Sequence, residues 1–355
     1  MGKNILLISP PSGDGAERMT VLYGKILETA GYSIDLLLIK LKSSDSTGLL
    51  SFIPSHWHYK MYETKFRYIL YYLLKYVRQS KPDIVFSSVG NIPEMLLFLK
   101  KMHLVHPTLV IRDCNMPSKH SKWQIRFARW LYKQADCLIS QTSEMKEEML
   151  QYYRLKAKDV TVINNPIDKE LIMEYLSEPV EQLPPDMIKY IACNRIAPQK
   201  DLVTMLKAFS IVTTKIPNAL LYIIGKQVDV SYYNSLTKVI QENKLQRNVI
   251  FLGYQKNPYK YINQADVFVL SSEYEGLPNV MMEAMFLGKP VAVTHSIPYI
   301  KQVVINGING YSCDVHDIEG LAKAMIEAKN IEGLNKYSVS NNTEQLIIDT
   351  FNNAS

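Results

Sequence analysis

Cysteine is scarce. The chain has four in 355 residues, Cys114, Cys137, Cys193 and Cys313, with no CxxC pair and no histidine grouping at metal-ligand spacing. That pattern excludes a disulfide framework and a cysteine-built zinc site, and it fits reduced thiols in a cytoplasmic protein. Long apolar runs are missing as well: nothing approaches the roughly 18 uninterrupted apolar residues of a membrane span. The opening MGKNILLISPPSGDG has an apolar run of only Ile5 to Ile8, too short for a signal peptide, and no small-residue cleavage site follows it. It reads as a first buried strand. Short-period repeats and low-complexity tracts are absent too.

What remains is a globular composition. Hydrophobic residues make up 47% and charged residues 21%, ordinary for a packed protein. A length of 355 residues exceeds one ordinary core and fits two domains. The net charge of +6 is unevenly placed: residues 1–176 carry 24 Lys+Arg against 17 Asp+Glu, and 177–355 carry 16 against 17. A basic first half suits anionic lipid headgroups or a lipid-linked diphosphate, and equally suits solubility alone. No nucleic-acid partner is expected.

The first half alternates apolar runs with helical spacing. NILLIS (4–9), SIDLLLI (33–39), KPDIVFSS (81–88), TLVIRD (108–113), DCLISQT (136–142) and DVTVINNP (159–166) read as strands, with helical segments between them. Near-continuous Val/Ile/Leu strands alternating with helices imply a parallel sheet covered on both faces. SEPVEQLPPDM (177–187) is Pro-rich and acidic, a linker by composition. The alternation then restarts with KYIACN (189–194), ALLYIIG (219–225), NVIFLG (248–253), ADVFVLSS (265–272) and KPVAVT (289–294). The expected architecture is α/β: two doubly wound, Rossmann-like parallel-sheet domains, 1–176 and 177–340, facing across a cleft. The tail 341–355 is expected to return to the first as a helix. Ligands of such sheets bind outside the carboxyl ends of the strands.

The second half carries the chemistry. SSEYEGLPNVMMEAMFLGKPV (271–291) follows a strand and opens a helix at Pro278–Asn279, with Pro at the first helical position and Gly288 past the end. The first-turn N–H groups around Leu277, Asn279 and Val280 would suit a diphosphate. Glu275 in the loop and Glu283 in the helix are two separated acceptors, fit for sugar and ribose hydroxyls or merely exposed acids. Arg195, just after a strand, and Lys200 would neutralise charge on a departing nucleoside diphosphate.

The order NPID (165–168), NRIAPQKDLVTMLKAF (194–209), LLYIIG (220–225), VIFLGY (249–254) and SSEYEGLPNVMMEAMFLGKPVAVT (271–294) resembles glycosyltransferase family 4, of the GT-B fold. GDGAER (13–18) and ISQTSEMKE (139–147) extend the likeness into the first half. The resemblance implies retaining transfer from a nucleoside-diphosphate sugar, UDP-linked by family frequency, with no obligatory metal and no separate cofactor. It places Arg195 and Lys200 on the donor phosphates and Glu275 at the transferred sugar. Gly225, Gly276, Leu277, Pro278, Asn279 and Val280 would line the same pocket, Glu283 would hold the ribose, and Tyr254 would lie near the base. Gly13 and Gly15 would let a loop close over the diphosphate.

One rival fingerprint and two departures stand beside the likeness. GDGAER has two glycines of a dinucleotide fingerprint but Arg18 where the third should stand, and Lys40 where an acid should hold ribose, which keeps an NADP oxidoreductase as a remote rival. Relatives often carry acid-basic-Asn after the strand at 108–113; here Asp113, Cys114 and Asn115 stand there, with Arg112 or His120 the possible substitutes. Asp113 is the acceptor-side candidate, a strand-end turn cap its equal alternative. Ser296, Ile297, Pro298 and Lys301 replace a Gly-Gly-x-Pro-Glu loop, so a catalytically silent nucleotide-sugar binder is the second reading. HWHYKMYETKFRYILYYLLKYVRQSK (56–81) reads as an aromatic, basic amphipathic helix, suited to peripheral membrane contact or to covering the first sheet. The expected function is transfer of a hexose or N-acetylhexosamine to a hydroxyl of a glycan acceptor, lipid-linked at the inner membrane face, in surface-polysaccharide synthesis.

Overall fold

Runs of Ile, Leu and Val with no polar alternation can pair only where both faces are covered, and the central strands are buried along their length. The computed structural model describes residues 2–13, 15–43, 47–114, 116–334 and 342–354. It divides into two units, Met1–Pro166 with Asn341–Ser355, and Ile167–Ser340.

The first unit runs β1 (Asn4–Ser9), α1 (Gly15–Thr29), β2 (Ser33–Leu41), β3 (His58–Thr64), α2 (Ile69–Ser80), β4 (Ile84–Ser87), α3 (Ile92–Lys101), β5 (Thr108–Arg112), α4 (Lys122–Leu131), β6 (Cys137–Ser140), α5 (Ser143–Tyr153) and β7 (Val160–Val162). The second runs α6 (Lys169–Leu176), β8 (Ile188–Cys193), α7 (Leu202–Lys215), β9 (Ala219–Ile224), α8 (Val230–Glu242), β10 (Val249–Gly253), α9 (Tyr259–Ile262), β11 (Val267–Leu270), α10 (Asn279–Phe286), β12 (Val291–Thr294), α11 (Ile300–Val303), β13 (Gly310–Cys313) and α12 (Ile318–Ala328). A last helix, α13 (Thr343–Ala354), packs in the first unit, where Phe351 lies 5.6 Å from the Phe86 ring and Tyr32 donates to Asn352 at 2.6 Å.

Both sheets are parallel. Their orders are β3-β2-β1-β4-β5-β6-β7 and β10-β9-β8-β11-β12-β13. Each reverses direction once, between β1 and β4 and between β8 and β11. At such a reversal adjacent loops diverge and open a crevice at the strands' carboxyl ends.

Two expectations are corrected. The segment 56–81 is not one helix: His58–Thr64 pairs parallel with Asp35–Leu41 as the edge strand β3, because HYKMYET supplies aromatic and β-favouring residues with little to bury. Only 69–80 is α-helical, burying Ile69, Leu73, Tyr76 and Val77, one face at helical spacing. The boundary also lies earlier than 176. Ile172 and Tyr175 of α6 belong to the second core, and Asn257 donates to Tyr175 and Glu178. The Pro-rich stretch beyond is pinned there too: Leu183 N–H donates to Gln264, and Gln264 donates to the Glu181 carbonyl.

Candidate functional site

The β8–β11 reversal collects most of the singled-out residues of the second unit. A 3-10 turn, Pro198–Lys200, follows β8, and the Ser271–Pro278 loop follows β11. Lys200 Nζ donates to Glu275 Oε1 at 2.5 Å, and both side chains are nearly closed to solvent, 12% and 11% exposed. Ser272 Oγ donates to the same carboxylate oxygen at 2.6 Å. The two loops are cross-tied: Ser271 Oγ donates to the Lys200 carbonyl, Glu273 N–H to Gln199 O, and Gln199 Nε2 to Tyr274 O. Thr294 of β12 fastens the Ser272 carbonyl from below. Glu275 and Lys200, expected as separate ligand groups, are therefore one ion pair spanning the reversal.

Arg195, two residues past the end of β8, is exposed. Its neighbour Asn194 has both side-chain polar atoms buried with no hydrogen-bond partner among the described residues, and so does Ser296 Oγ after β12. Buried polar groups without partners are uncommon and ask for a ligand or water. Neither residue stood out in the sequence, where Asn and Ser at strand ends are commonplace. Gly225 shapes the same place by close approach: a Cβ there would lie 1.7 Å from the Asn194 carbonyl oxygen. Gly225 N–H bonds Gly253 O and Asn194 N–H bonds Ile224 O, so the ends of β8, β9 and β10 are laced together. Tyr254 follows Gly253 and is 67% exposed.

Pro278 is the N-cap of α10 rather than its first helical residue, since its ψ of 84° lies outside the helical range. Met281 and Met282 N–H groups bond the Pro278 carbonyl at 3.0 and 3.3 Å. Proline offers no capping oxygen, whereas Asp168, Asp201, Asp229 and Asp317 cap α6, α7, α8 and α12. The Val280 N–H, second in the helix, has no intrahelical acceptor by geometry. Gly276 precedes, Leu277 is buried in the core, and Glu283 is buried one turn into α10.

A third loop joins the cluster. His316 Nδ1 lies 2.8 Å from Asp201 Oδ2, and His316 Nε2 lies 3.8 Å from Glu273 Oε1. These donors fall within 4.8 Å of one another, a spacing a cation tolerates. Asp201 is already engaged on both oxygens, because Oδ1 caps Thr204 N–H at 3.2 Å. The arrangement reads as a tie between the β8, β11 and β13 loops.

In the first unit, Gly13 has φ +81°, and a Cβ on it would sit 2.5 Å from Gly48 C. The missing side chain is what lets the Gly48–Leu49 backbone approach, while Gly15 opens α1. Lys40 is paired with Glu63 at 3.3 Å. Arg112 is no substitute for the missing basic residue: it is buried, donates to Cys114 Sγ and Asn165 Oδ1, and lies 5.8 Å from the Tyr23 ring centre. Burial pushes the Cys114 thiol up, and Cys114 Sγ–H donates to Ser88 O. Asn115 lies outside the described residues.

Asp113 is buried in a polar nest with Glu94, Tyr132, Tyr153 and His120. Burial raises the Glu94 carboxyl to about 7, with the Asp113 charge adding to it. Tyr132 donates to Glu94 Oε1 at 3.3 Å, and Tyr153 OH lies 3.0 Å from His120 Nδ1. Burial and the Asp113 charge raise both tyrosines. Glu94 was invisible in the sequence because PEMLLFLKKM reads as any helix start. At the β1–β4 reversal a cavity of about 200 Å³ opens, its described lining uncharged and including Pro10, Pro11, Ile39, Phe66, Ile92 and Met95.

Comparison with known proteins agrees with this architecture. The family described as "Glycosyl transferases group 1" matches residues 177–345, and "Glycosyltransferase Family 4" matches 13–171. An uncharacterized glycosyltransferase of Methanocaldococcus jannaschii is 31% identical over 256 residues, 68% of this chain and 61% of that protein. The Campylobacter jejuni N-acetylgalactosamine-N,N'-diacetylbacillosaminyl-diphospho-undecaprenol 4-alpha-N-acetylgalactosaminyltransferase is 26% identical over 211 residues, 58% of this chain and 55% of that protein. The chain thus spans less than two thirds of the length of either relative. In structure it is similar to Anabaena HepE in complex with UDP-glucose, with a TM-score of 0.77, 16% identity, and coverage of 99% of this chain and all of that one.

Proposed function

Because the chain belongs to the family-4-type glycosyltransferases of the GT-B fold, we propose that it moves a hexose or N-acetylhexosamine from a nucleoside-diphosphate sugar to a glycan hydroxyl. The donor is a UDP-sugar in this reading, in line with the UDP-glucose bound to the Anabaena protein. The acceptor is a lipid-linked glycan of surface-polysaccharide synthesis, in line with the diphospho-undecaprenol named for the Campylobacter relative. The uncharged cavity at the β1–β4 reversal supports an acceptor with apolar character.

One observation carries the proposal: the Lys200–Glu275 pair at the β8–β11 reversal, with Arg195 exposed in the loop after β8 and α10 lacking a side-chain cap. Lys200 has three N–H donors, so it can hold Glu275 with one and a phosphate with another. As the glycosidic bond to the diphosphate breaks, negative charge grows on the leaving oxygen. Lys200, Arg195 and the α10 N-terminus stabilise that charge. Glu275, fixed by Lys200 and Ser272, turns its remaining acceptor capacity to the sugar hydroxyls. Glu283 holds the ribose, Tyr254 flanks the base, and the acceptor hydroxyl enters on the departing face, giving retention. Asp113 acts from the acceptor side through its tyrosine nest.

A thermal-shift panel of UDP, GDP, ADP, TDP and NADP tests this. At a hundred times its dissociation constant a ligand adds about 2.7 kcal/mol, a plain shift in midpoint. Stabilisation by one nucleoside diphosphate, lost in Lys200→Ala, is expected. A response to NADP alone, or to none, would overturn the donor assignment, and donor binding without turnover on any acceptor would mark a silent relative.

A further inference from the structure

The α4 helix, KWQIRFARWL, divides into three strips. Ala128 and Leu131 are buried against the first core. Lys122 and Arg126, four apart and exposed, form a second strip that exposed Lys133 continues just past the helix end, while Arg129 donates to the Tyr152 carbonyl. The third is aromatic: Trp123, Phe127 and Trp130, also at helical spacing, with Trp123 71% and Trp130 46% exposed. Trp123 stacks on Phe127 at 5.4 Å, Phe127 neighbours Trp130 at 6.0 Å, and the Lys101 ammonium sits 4.7 Å from the Trp130 ring. The two indoles of this ladder face water, where their apolar surface gains nothing.

We propose that this face of α4 docks the protein on an anionic bilayer surface. Charge argues for that occupant. Between Asp113 and Asp136 the sequence carries five Lys/Arg and no acid, against which an acidic headgroup layer is complementary. Indoles favour the headgroup boundary, where the ring is buried and its N–H stays wet. Cationic side chains beside them reach the phosphates while their stems lie along apolar surface. No described helix is long and apolar enough to cross a membrane, so attachment through this face is peripheral. The proposal goes beyond the transfer reading, and it relocates the expected lipid contact from 56–81 to α4. In the first segment the aromatics split between an edge strand and α2; here they line one helix face.

The molecule supplies its own probe. It has three tryptophans, and Trp57 is buried, so changes in indole emission report Trp123 and Trp130. The full chain is sedimented with vesicles of phosphatidylcholine alone or mixed with phosphatidylglycerol, and its emission is recorded. Binding to the mixed vesicles with a blue shift is expected, weakened by salt. W123S/W130S should lose roughly tenfold or more in partition, and K122E/R126E at least as much, at roughly fivefold per cation. Both variants alter exposed side chains, so an unchanged melting midpoint checks the fold. Absence of binding to mixed vesicles, an unshifted emission, or equal binding by W123S/W130S would overturn the proposal. A dimer in sedimentation velocity that W123S/W130S dissolves, without vesicle binding, would assign the stripe to a second copy instead. Failure of the nucleotide panel leaves every one of these readouts intact.

Discussion

Removing one partner of the Lys200–Glu275 pair should cost more than removing both. The pair is 2.5 Å long, with side chains only 12% and 11% exposed, and Ser272 is the second donor on Glu275. Breaking a buried pair from one side costs about 3–5 kcal/mol, because a desolvated charge is stranded. The tenth of each side chain still open to water admits some rehydration, which places Lys200→Met and Glu275→Gln near the lower end, about 2–3 kcal/mol each. In the double variant no charge is stranded and the Ser272 hydroxyl still finds the Gln carbonyl oxygen. Its cost should be about 1 kcal/mol, leaving a coupling energy of a few kcal/mol. Urea unfolding followed by far-ultraviolet circular dichroism measures it. Indole fluorescence is unsuited, since all three tryptophans lie in the first unit. Strict additivity of the single costs would refute the buried-pair reasoning. Turnover then separates structure from chemistry: Lys200→Ala and the double variant should lose roughly 10- to 1,000-fold, the scale of one charge donor in a transition state. A stable double variant with full turnover would leave Lys200 a structural role alone.

Gly225→Ala drives a Cβ to within 1.7 Å of the Asn194 carbonyl, so the Asn194–Arg195 loop must move. Nucleoside-diphosphate affinity should fall roughly tenfold or more, a cost of about 1.4 kcal/mol or greater, read by calorimetry; unchanged affinity would count against a ligand at that loop. Glu94 gives a pH signature whose sign follows from its raised carboxyl, about 7 folded against 4.5. The folded state holds the extra proton between those values, so stability falls as pH rises from about 4.5 to 7 and levels above, by up to about 3 kcal/mol. Glu94→Gln, which still accepts from Tyr132, should flatten the melting midpoint against pH, and an identical slope in the variant would refute the assignment.

The strands were legible because continuous burial leaves a continuous apolar run: β1, β5, β9 and β12 sit inside segments that the sequence marks out. Misreading 56–81 has a physical source. Tyr, Met and Thr on an exposed edge strand give neither period 2 nor period 3.6 clearly, and the strongly amphipathic α2 beyond it lends its pattern to the whole stretch. The donor-side residues were visible as local motifs, but their pairing was not. Lys200 and Glu275 are 75 residues apart, and only the adjacency of β8 and β11 brings them together. Arg112 shows the converse: a cation at a strand end looked available for the acceptor, yet it is folded inward on Tyr23, Cys114 and Asn165.

Two sheets of the same kind each offer a ligand crevice at their reversal, so topology alone does not say which takes the nucleotide. The contents do. At the β1–β4 reversal the described cavity lining holds no charge, Gly13 is closed by Gly48, and the nearby guanidinium of Arg112 is buried and hydrogen-bonded. A diphosphate moved there would surrender its hydration without gaining a cation, a penalty of several kcal/mol per charge. At the β8–β11 reversal the loops hold Lys200, Arg195 and an uncapped helix start, and Asn194 and, after β12, Ser296 have buried polar atoms with no partner among the described residues. An anion rich in hydrogen-bonding groups gains there what the first crevice withholds. The same accounting directs an acceptor with apolar parts to the first unit, whose α4 carries the aromatic and cationic face suited to a bilayer. The unequal charge of the two halves, visible at the outset, therefore follows the proposed division of substrates: lipid-borne acceptor on the basic unit, soluble donor on the near-neutral one.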